Sequence, residues 1–340
     1  MVEARLELTR SQVLACRRRV ASLHERRPRG QRSLRRAAWA GLQDSMPRAA
    51  LLSLHARVEG TEPTTWADPS LVQLWGPRFS VYVVAERDRA VFSLGRLPED
   101  GEGRRRAEDL AGRLHALLGG SVMTDRDAAQ ALGVHPNRLR YAAPTGTILL
   151  RWDGARAPTI RTAPAPEADP RSARLELARR YLHVFGPTTP RAFAQWAGLT
   201  RSQGDAVFNA LRRSLLPVRT PIGDGWILAR DEPKFLDDPE PDAPVRLLPS
   251  GDTYVLLQGA DRELLVPVAR HRTELWPSRV WPGSLLLRGE VAGTWRRVKG
   301  TVTISSWRTL SPEERDAVEA EGSSLPLPGV EGPVAVRWEA

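Results

Sequence analysis

The chain has 340 residues, 41 % of them hydrophobic, with fifty basic against forty acidic side chains and a net charge of +10. That length divides into two to four packed units, and the composition excludes a disordered or fibrous protein. A single cysteine, Cys16, excludes a disulfide framework and a thiolate metal cluster, and the six histidines (24, 55, 115, 135, 183 and 271) show no ligand spacing. No metal or other cofactor is therefore expected. The first twenty residues lack the apolar core of a signal peptide, and no apolar stretch reaches the roughly eighteen residues a membrane span needs. A cytoplasmic protein is expected. Lysine occurs only at positions 234 and 299, so nearly all the positive charge is arginine. Codon usage in a GC-rich genome explains that choice as well as selection for guanidinium does. The charge excess itself favours a polyanionic partner.

In chain order, residues 9–24 place Val13, Leu14, Val20 and Leu23 at helical spacing. After the basic break ERRPRGQRS, residues 32–42 read as a second helix, ended by the run Gly41, Leu42, Gln43, Asp44, Ser45, Met46. Pro47 then opens a third helix through Val58, a residue suited to a first helical turn. Asp68 and Pro69 read as the start of a short helix covering Leu71, Val72 and Leu74. Residues 79–84 and 90–94 read as two strands around the charged turn 86–89. Three helices followed by a hairpin is the order of a winged helix.

The order recurs twice. Residues 104–118 form a helix, Thr124 caps a short one closed by Gly133, and His135 opens another that runs to Tyr141, the spacing of a helix-turn-helix. Strands at 146–152 and 159–161 flank Asp153 and Gly154, a strong hairpin signal. In the third copy a helix at 172–184 precedes a capped helix at 189–198, another at 202–215, and strands around 218–228. An acidic, proline-rich linker follows, after which strands are expected at 245–248, 253–257, 263–266, 284–287, 290–295, 302–305 and 334–338, with one helix at 312–321. The expected fold is α+β: three tandem winged-helix units (1–100, 101–166 and 167–236) and a small β-barrel-like domain (243–340).

Basic and aromatic side chains on these elements are candidate DNA contacts. Arg138, Arg140 and Tyr141 lie on the second helix of the helix-turn-helix, with Arg151 and Arg156 on the wing beside it. Arg201, with Arg212 and Arg213, occupies the matching place in the third unit, and Arg48 follows the Gln43 run. Asp252, Arg262, Arg270 and His271 fall on or beside a hairpin expected to line a DNA cleft. Solvated surface is the competing reading for all of them. Trp39, Trp196 and Trp226 sit in apolar patterns and read as core, whereas Trp276 and Trp281, near proline turns, are freer to stack on a base.

Several short motifs, in order, resemble one family. They are Gly41, Leu42, Gln43; Pro47 and Arg48 with residues 51–57; Arg246, Leu247, Leu248, Pro249 with Asp252; Asp261 and Arg262; and the run 289–295. The resemblance is to the winged-helix DNA glycosylases of the AlkZ/YcaQ type, and it spans nearly the whole chain. It implies a monofunctional glycosylase, a monomer acting on double-stranded DNA with N7-alkylated or bulky purines, close to the nucleoid. In that family two polar residues flank one apolar residue and position the attacking water. Here they are Gln43 and Ser45, with Asp44 between them. Gln43 could orient water through its amide, Asp44 could stabilise an oxocarbenium ion or act as a base, and Ser45 could hold the water. The motif reads equally as ordinary capping of the next helix by Asp44 or Ser45. A non-catalytic DNA-binding protein, a regulator or lesion sensor, is the alternative function.

Overall fold

The computed structural model describes residues 6–46, 48–154, 156–237 and 243–339. The first unit runs β1 (Leu6–Glu7), α1 (Arg10–Val20), α2 (Gln31–Ala37), β2 (Leu42–Gln43), α3 (Ala49–His55), β3 (Leu71–Trp75), β4 (Val81–Ala85) and α4 (Arg89–Phe92). Its sheet has the order β2-β4-β3. Two expectations fail here. Leu71–Trp75, read as a helix, is a strand whose five residues are all buried. It is enclosed by β4 on one edge and by the second unit on the other, and a strand buried on both faces loses the period-two signal. Residues 90–94, read as a strand, are helical turns packed on the third unit. The expected helix start at Pro47 lies outside the described residues; the helix itself begins at Ala49.

The second unit comprises α5 (Gly101–Leu118), β5 (Met123–Thr124), α6 (Asp125–Ala131), α7 (Pro136–Leu139), β6 (Ile148–Arg151) and β7 (Thr159–Thr162), with sheet order β5-β7-β6. Thr124 caps α6 by accepting a hydrogen bond from the Asp127 N–H, which satisfies a donor the first helical turn leaves open. The third unit follows with α8 (Pro170–Phe185), α9 (Pro190–Ala197), α10 (Arg201–Leu211), β8 (Leu215–Thr220), β9 (Gly223–Leu228) and α11 (Glu232–Leu236). Thr188 bridges to Trp226, and β1 pairs in parallel with β8, so the N-terminus joins the third unit's sheet.

The remainder holds β10 (Arg246–Leu248), α12 (Asp261–Leu265), α13 (Ala269–Leu275), β11 (Gly283–Leu287), β12 (Glu290–Val298), β13 (Thr301–Ser306), α14 (Pro312–Ser323) and β14 (Ala335–Trp338). Its five strands form one open sheet, β10-β11-β12-β13-β14, and no closed barrel occurs among the described residues. The barrel-like expectation fails because two of its strands do not exist. Residues 253–257 are turns, and most of 263–266 belongs to the helix α12. Short apolar runs do not by themselves separate a strand from a buried helix. Here the runs Tyr254 to Leu257 and Leu265–Val266 insert into the largest core instead.

That core joins α1, β3, β4, the third unit and the 248–276 segment. The second unit is built on a separate core centred on Leu114, Leu139, Ile148 and Ile160, into which Trp75 of β3 also packs. The C-terminal sheet packs α14 and Leu52 of α3 against Leu247, Leu285 and Ile304. Helix α3 is thus wedged between the first sheet and the last, and the Gln43 segment stands at that seam.

Candidate active site

Strand β2 pairs antiparallel with β4, with Leu42 opposite Val83 and Gln43 opposite Tyr82, and the Asp44 N–H extends the ladder to the Val81 carbonyl at 2.8 Å. Gly41 enters this strand at φ +78°, where a Cβ would press on the rings of Phe92 and Tyr82 at 2.9 Å, so a side chain there would displace the core. That ladder bond keeps the chain extended through Asp44, which sends Gln43 and Asp44 to opposite sides before the chain bends at Ser45. Accordingly the Gln43 Nε2 donates to Ser45 Oγ at 3.1 Å, while Asp44 turns inward. Gln43 Oε1 is enclosed and accepts no hydrogen bond from the described residues. The loop after β10 closes over this amide at Gly251 (φ +75°), where a Cβ would stand 3.3 Å from Gln43 Nε2.

Asp44 is 2 % exposed. One carboxylate oxygen accepts from the Ala50 N–H at 2.9 Å, inside the first turn of α3, and the other from Gln73 Nε2 at 2.7 Å. The Gln73 amide in turn donates to the Trp152 carbonyl at 3.1 Å and accepts from the Trp152 N–H at 2.7 Å. A continuous polar chain therefore links the Gln43 segment, α3, β3 and the end of β6. Burial pushes the Asp44 carboxyl up to about 6, against the pull of its two hydrogen bonds and of Arg48. Neither Asp44 nor Ser45 is the N-cap of α3, a position held by Arg48 without a side-chain cap; Asp44, four residues upstream of that cap, satisfies a first-turn N–H of the helix.

The C-terminal loop is anchored by a second buried group. Asp252, with no exposed surface, receives both arms of Arg57 at 2.7 Å each, the Ser53 hydroxyl at 2.6 Å and the Tyr254 N–H at 2.9 Å. Both charges lie far from solvent, and every acceptor site on the carboxylate is occupied. The expectation that Asp252 contacts DNA is overturned: it fastens the 249–252 loop to α3.

The other expected contacts are scattered. Arg262, on α12 and not on a hairpin, donates to the Leu257 carbonyl and lies over Trp276 and Trp281, at 4.8 and 5.2 Å. The two tryptophans are in turn engaged, Trp276 through Nε1 to the Val255 carbonyl and Trp281 to that of Pro277, so neither is a free platform. Arg270 is exposed on α13 beside His271, which stacks on Trp307 with centroids 4.2 Å apart. Arg156 and Arg201 are exposed. Arg138 and Tyr141 line an open groove of about 900 Å³ between the second and third units, with Arg96, Arg106 and Gln203. Tyr141 is 53 % exposed and meets Phe79 edge-on at 5.0 Å, and Arg140 donates to Asn137. None of these reaches Gln43. Arg48 and Arg151 come together on one ring, each 4.0 Å from the centroid of Trp66, and Arg48 is close enough to Asp44 to act on its charge. A groove of about 420 Å³ starts at Met46 and Ser250 and runs along Trp281, Arg296, Arg297 and Val298.

Arginine is also used in the interior. Seven of the described arginines are buried, and Arg17, Arg96, Arg174 and Arg180 donate to backbone carbonyls of neighbouring segments. The charge excess is thus partly structural.

The sequence model described as "DNA glycosylase AlkZ-like" matches residues 35–326, a span that includes Gln43, Asp252 and the whole of the intervening architecture. The chain belongs to the AlkZ-like DNA glycosylase family. As a member it is a glycosylase-type hydrolase in general terms, with DNA as its substrate class. Among solved structures it resembles the Streptomyces sahachiroi DNA glycosylase AlkZ, with a TM-score of 0.78 over 98 % of this chain and 100 % of that one. At 19 % identity the likeness is one of fold. No curated protein sequence matches it. Among the described residues of this AlkZ-like chain no His, Cys, Asp and Glu cluster could hold a metal ion, and no helix is long and apolar enough to cross a membrane.

Sequence reasoning missed Gln73, Arg57, Gly251 and Trp66. Gln73 alone left a trace, as the one polar residue in an apolar run.

Proposed function

We propose that this chain is a monofunctional DNA glycosylase that hydrolyses the N-glycosidic bond of N7-alkylated or bulky-adduct purines in duplex DNA. The observation that carries this reading is the pairing of Gln43 with Ser45 on one side of β2, the amide oxygen of Gln43 left without a partner. Alkylation at N7 gives the base a positive charge and makes it a good leaving group. As the bond breaks, its electron pair returns to the base at N9, the sugar gains oxocarbenium character, and water adds at C1′ and releases a proton to solvent. The enzyme's task is then to hold that water on the open face of the sugar. Gln43 Oε1 accepts from the water while the Ser45 hydroxyl, oriented by Gln43 Nε2, supplies a second contact. An amide and a hydroxyl are poor bases at neutral pH, and a cationic leaving group makes a strong base unnecessary. Asp44, buried and turned away, acts through its neighbours: it holds α3 and the strand in register so that residues 43 and 45 share a face.

The strand and helix order of the second unit, α5-β5-α6-α7-β6-β7 with β5 against β7, supports reading it as a winged helix, and the first and third units as variants of the same plan. On that reading the four segments 1–100, 101–166, 167–236 and 243–340 form a monomer around DNA. The test is incubation with duplexes carrying N7-methylguanine and a bulkier N7 adduct, scored for abasic sites. Release of either base is expected, and release of neither would leave a DNA-binding protein without chemistry. That alternative has one observation in its favour, the serine at position 45 in place of the family's second amide or carboxylate.

A further inference from the structure

Two cations on one indole ask for an explanation. Trp66 sits in a short turn of 3-10 helix (Thr65–Ala67), half-buried, with the guanidinium carbons of Arg48 and Arg151 each 4.0 Å from its ring centroid. Each contact is a favourable cation–π interaction. Sharing one ring, however, keeps the two charges at most ~8 Å apart, within the Debye length of about 8 Å at physiological salt, so they repel. Neither arginine forms an ion pair within 4 Å among the described residues, where many other arginines of this chain do. One guanidinium nitrogen of Arg48 is buried and donates to nothing described. Burial and Arg48 together hold the Arg151 guanidinium below its usual range against the opposing pull of the nearby Asp153 carboxylate, and Arg297, near the end of β12, is lowered by burial and Arg48.

The backbone adds to this. Arg48 adopts φ +66°, a left-handed conformation that residues with a Cβ avoid, and it does so at the residue that enters α3. Arg151, the last residue of β6, is fixed from the other side: its neighbour Trp152 is tied through Gln73 to Asp44. The two guanidiniums are thus delivered from separate units to one place, five residues along the chain from Gln43. With two guanidiniums on its ring, Trp66 is poorly placed to stack on a flipped base. It is a scaffold for the cations.

We propose that Arg48, Trp66 and Arg151 form a clamp for a backbone phosphate of the DNA strand, beside the Gln43 site. This rests on the reading of the chain as a DNA-acting enzyme. A phosphate between or across the two guanidiniums turns their mutual repulsion into two charge-assisted contacts, and both forks present several donors to its oxygens. Trp66 makes no contact with DNA in this account; it removes the freedom the arginine side chains would otherwise lose on binding.

The experiment is a salt titration of affinity, read by fluorescence anisotropy on a duplex carrying a stable abasic-site analogue, between 50 and 200 mM salt. Wild type shows log Kd rising linearly with log salt. Arg48→Gln and Arg151→Gln each weaken binding severalfold and lower the slope by about 1. Trp66→Ala, which removes no charge, weakens binding by a similar factor and lowers the slope, while Trp66→Phe retains most of both. Thermal unfolding checks that each variant is folded, and the arginine variants carry the test should Trp66→Ala fail to fold. Wild-type slopes in Arg48→Gln and Arg151→Gln would overturn the clamp and leave the glycosylase reading intact. Absence of salt-dependent binding by wild type would remove both.

Discussion

The Gln43 segment and the β5–α6–α7 segment of the second unit are built from similar parts: a short strand, a turn and a short helix. They dispose of polar side chains in opposite ways. Around Gln43 the buried polar groups are tied to distant segments: Asp44 to Gln73, Gln73 to Trp152, and Arg57, just after α3, to Asp252. In the second unit the caps are local, Thr124 to Asp127 and His135 to Asn137, and Arg138 and Tyr141 are left largely free beside a wide groove. Local capping fixes each helix within its own segment; long-range polar ties build a site whose geometry depends on three units at once. A reacting centre requires the second arrangement, because its groups must be held to fractions of an ångström.

The contrast can be broken from either side, and the largest effect is expected at the anchor of the Gln43 segment. Arg57→Ala leaves the Asp252 carboxylate buried without its charge partner and should cost about 3–5 kcal/mol. Denaturant unfolding measures it, and a loss below 1 kcal/mol would mean that the loop is held by packing alone. Next is Asp44→Asn, which turns a donor toward Gln73 Nε2 and should cost about 1–3 kcal/mol even though it removes a buried charge. The same substitution changes the pH response. Asp44 titrates near 6 in the folded protein against 3.8 in its usual state, so the native chain keeps this proton in the interval where the unfolded chain has lost it. Its contribution to stability is therefore fully present below pH 3.8 and falls as pH rises toward 6. Unfolding free energies between pH 4 and 7 should show that decline in wild type, less so in Asp44→Asn.

The smallest effects belong to the second unit. Arg138→Ala should change unfolding free energy by less than about 0.5 kcal/mol, as an exposed side chain without long-range ties does, and Tyr141→Ala by about 0.5–1.5 kcal/mol, since its ring meets Phe79 edge-on. They should leave the rate of base release unchanged at saturating enzyme. A large drop in that rate would show that this groove, and not the Gln43 segment, meets the reacting nucleotide.

The same division decides what could be read in the sequence. Individual elements between residues 101 and 236 are legible because their signals are local: Thr124 and Thr189 as caps, Gly133 and Gly198 as stops, Asp153 and Gly154 between β6 and β7. Leu71–Trp75 was misread because Asp68 and Pro69 imitate a helix start, whereas tertiary enclosure of β3 by β4 and the second unit decided its structure. Residues 253–257 look like a strand, yet their backbone turns so that Tyr254 to Leu257 enter the core that α12 and α13 cover. Within the site, Gln43 and Ser45 followed from the family's motif. The burial of Asp44 and the Arg57–Asp252 pair did not, since partners 29 and 195 residues apart leave no spacing to recognise. Trp66 escaped for the same reason: both arginines that meet it come from other elements.

The central claim is that the half-buried amide of Gln43 holds the attacking water. Its most direct test is the single-turnover rate of 7-methylguanine release by Gln43→Ala beside wild type, with DNA affinity measured in parallel. A fall of about 10²–10³ in rate with affinity kept within twofold is the predicted result, comparable to loss of one group that acts only in the transition state. Equal rates for the two proteins, both well above the spontaneous reaction, would contradict it.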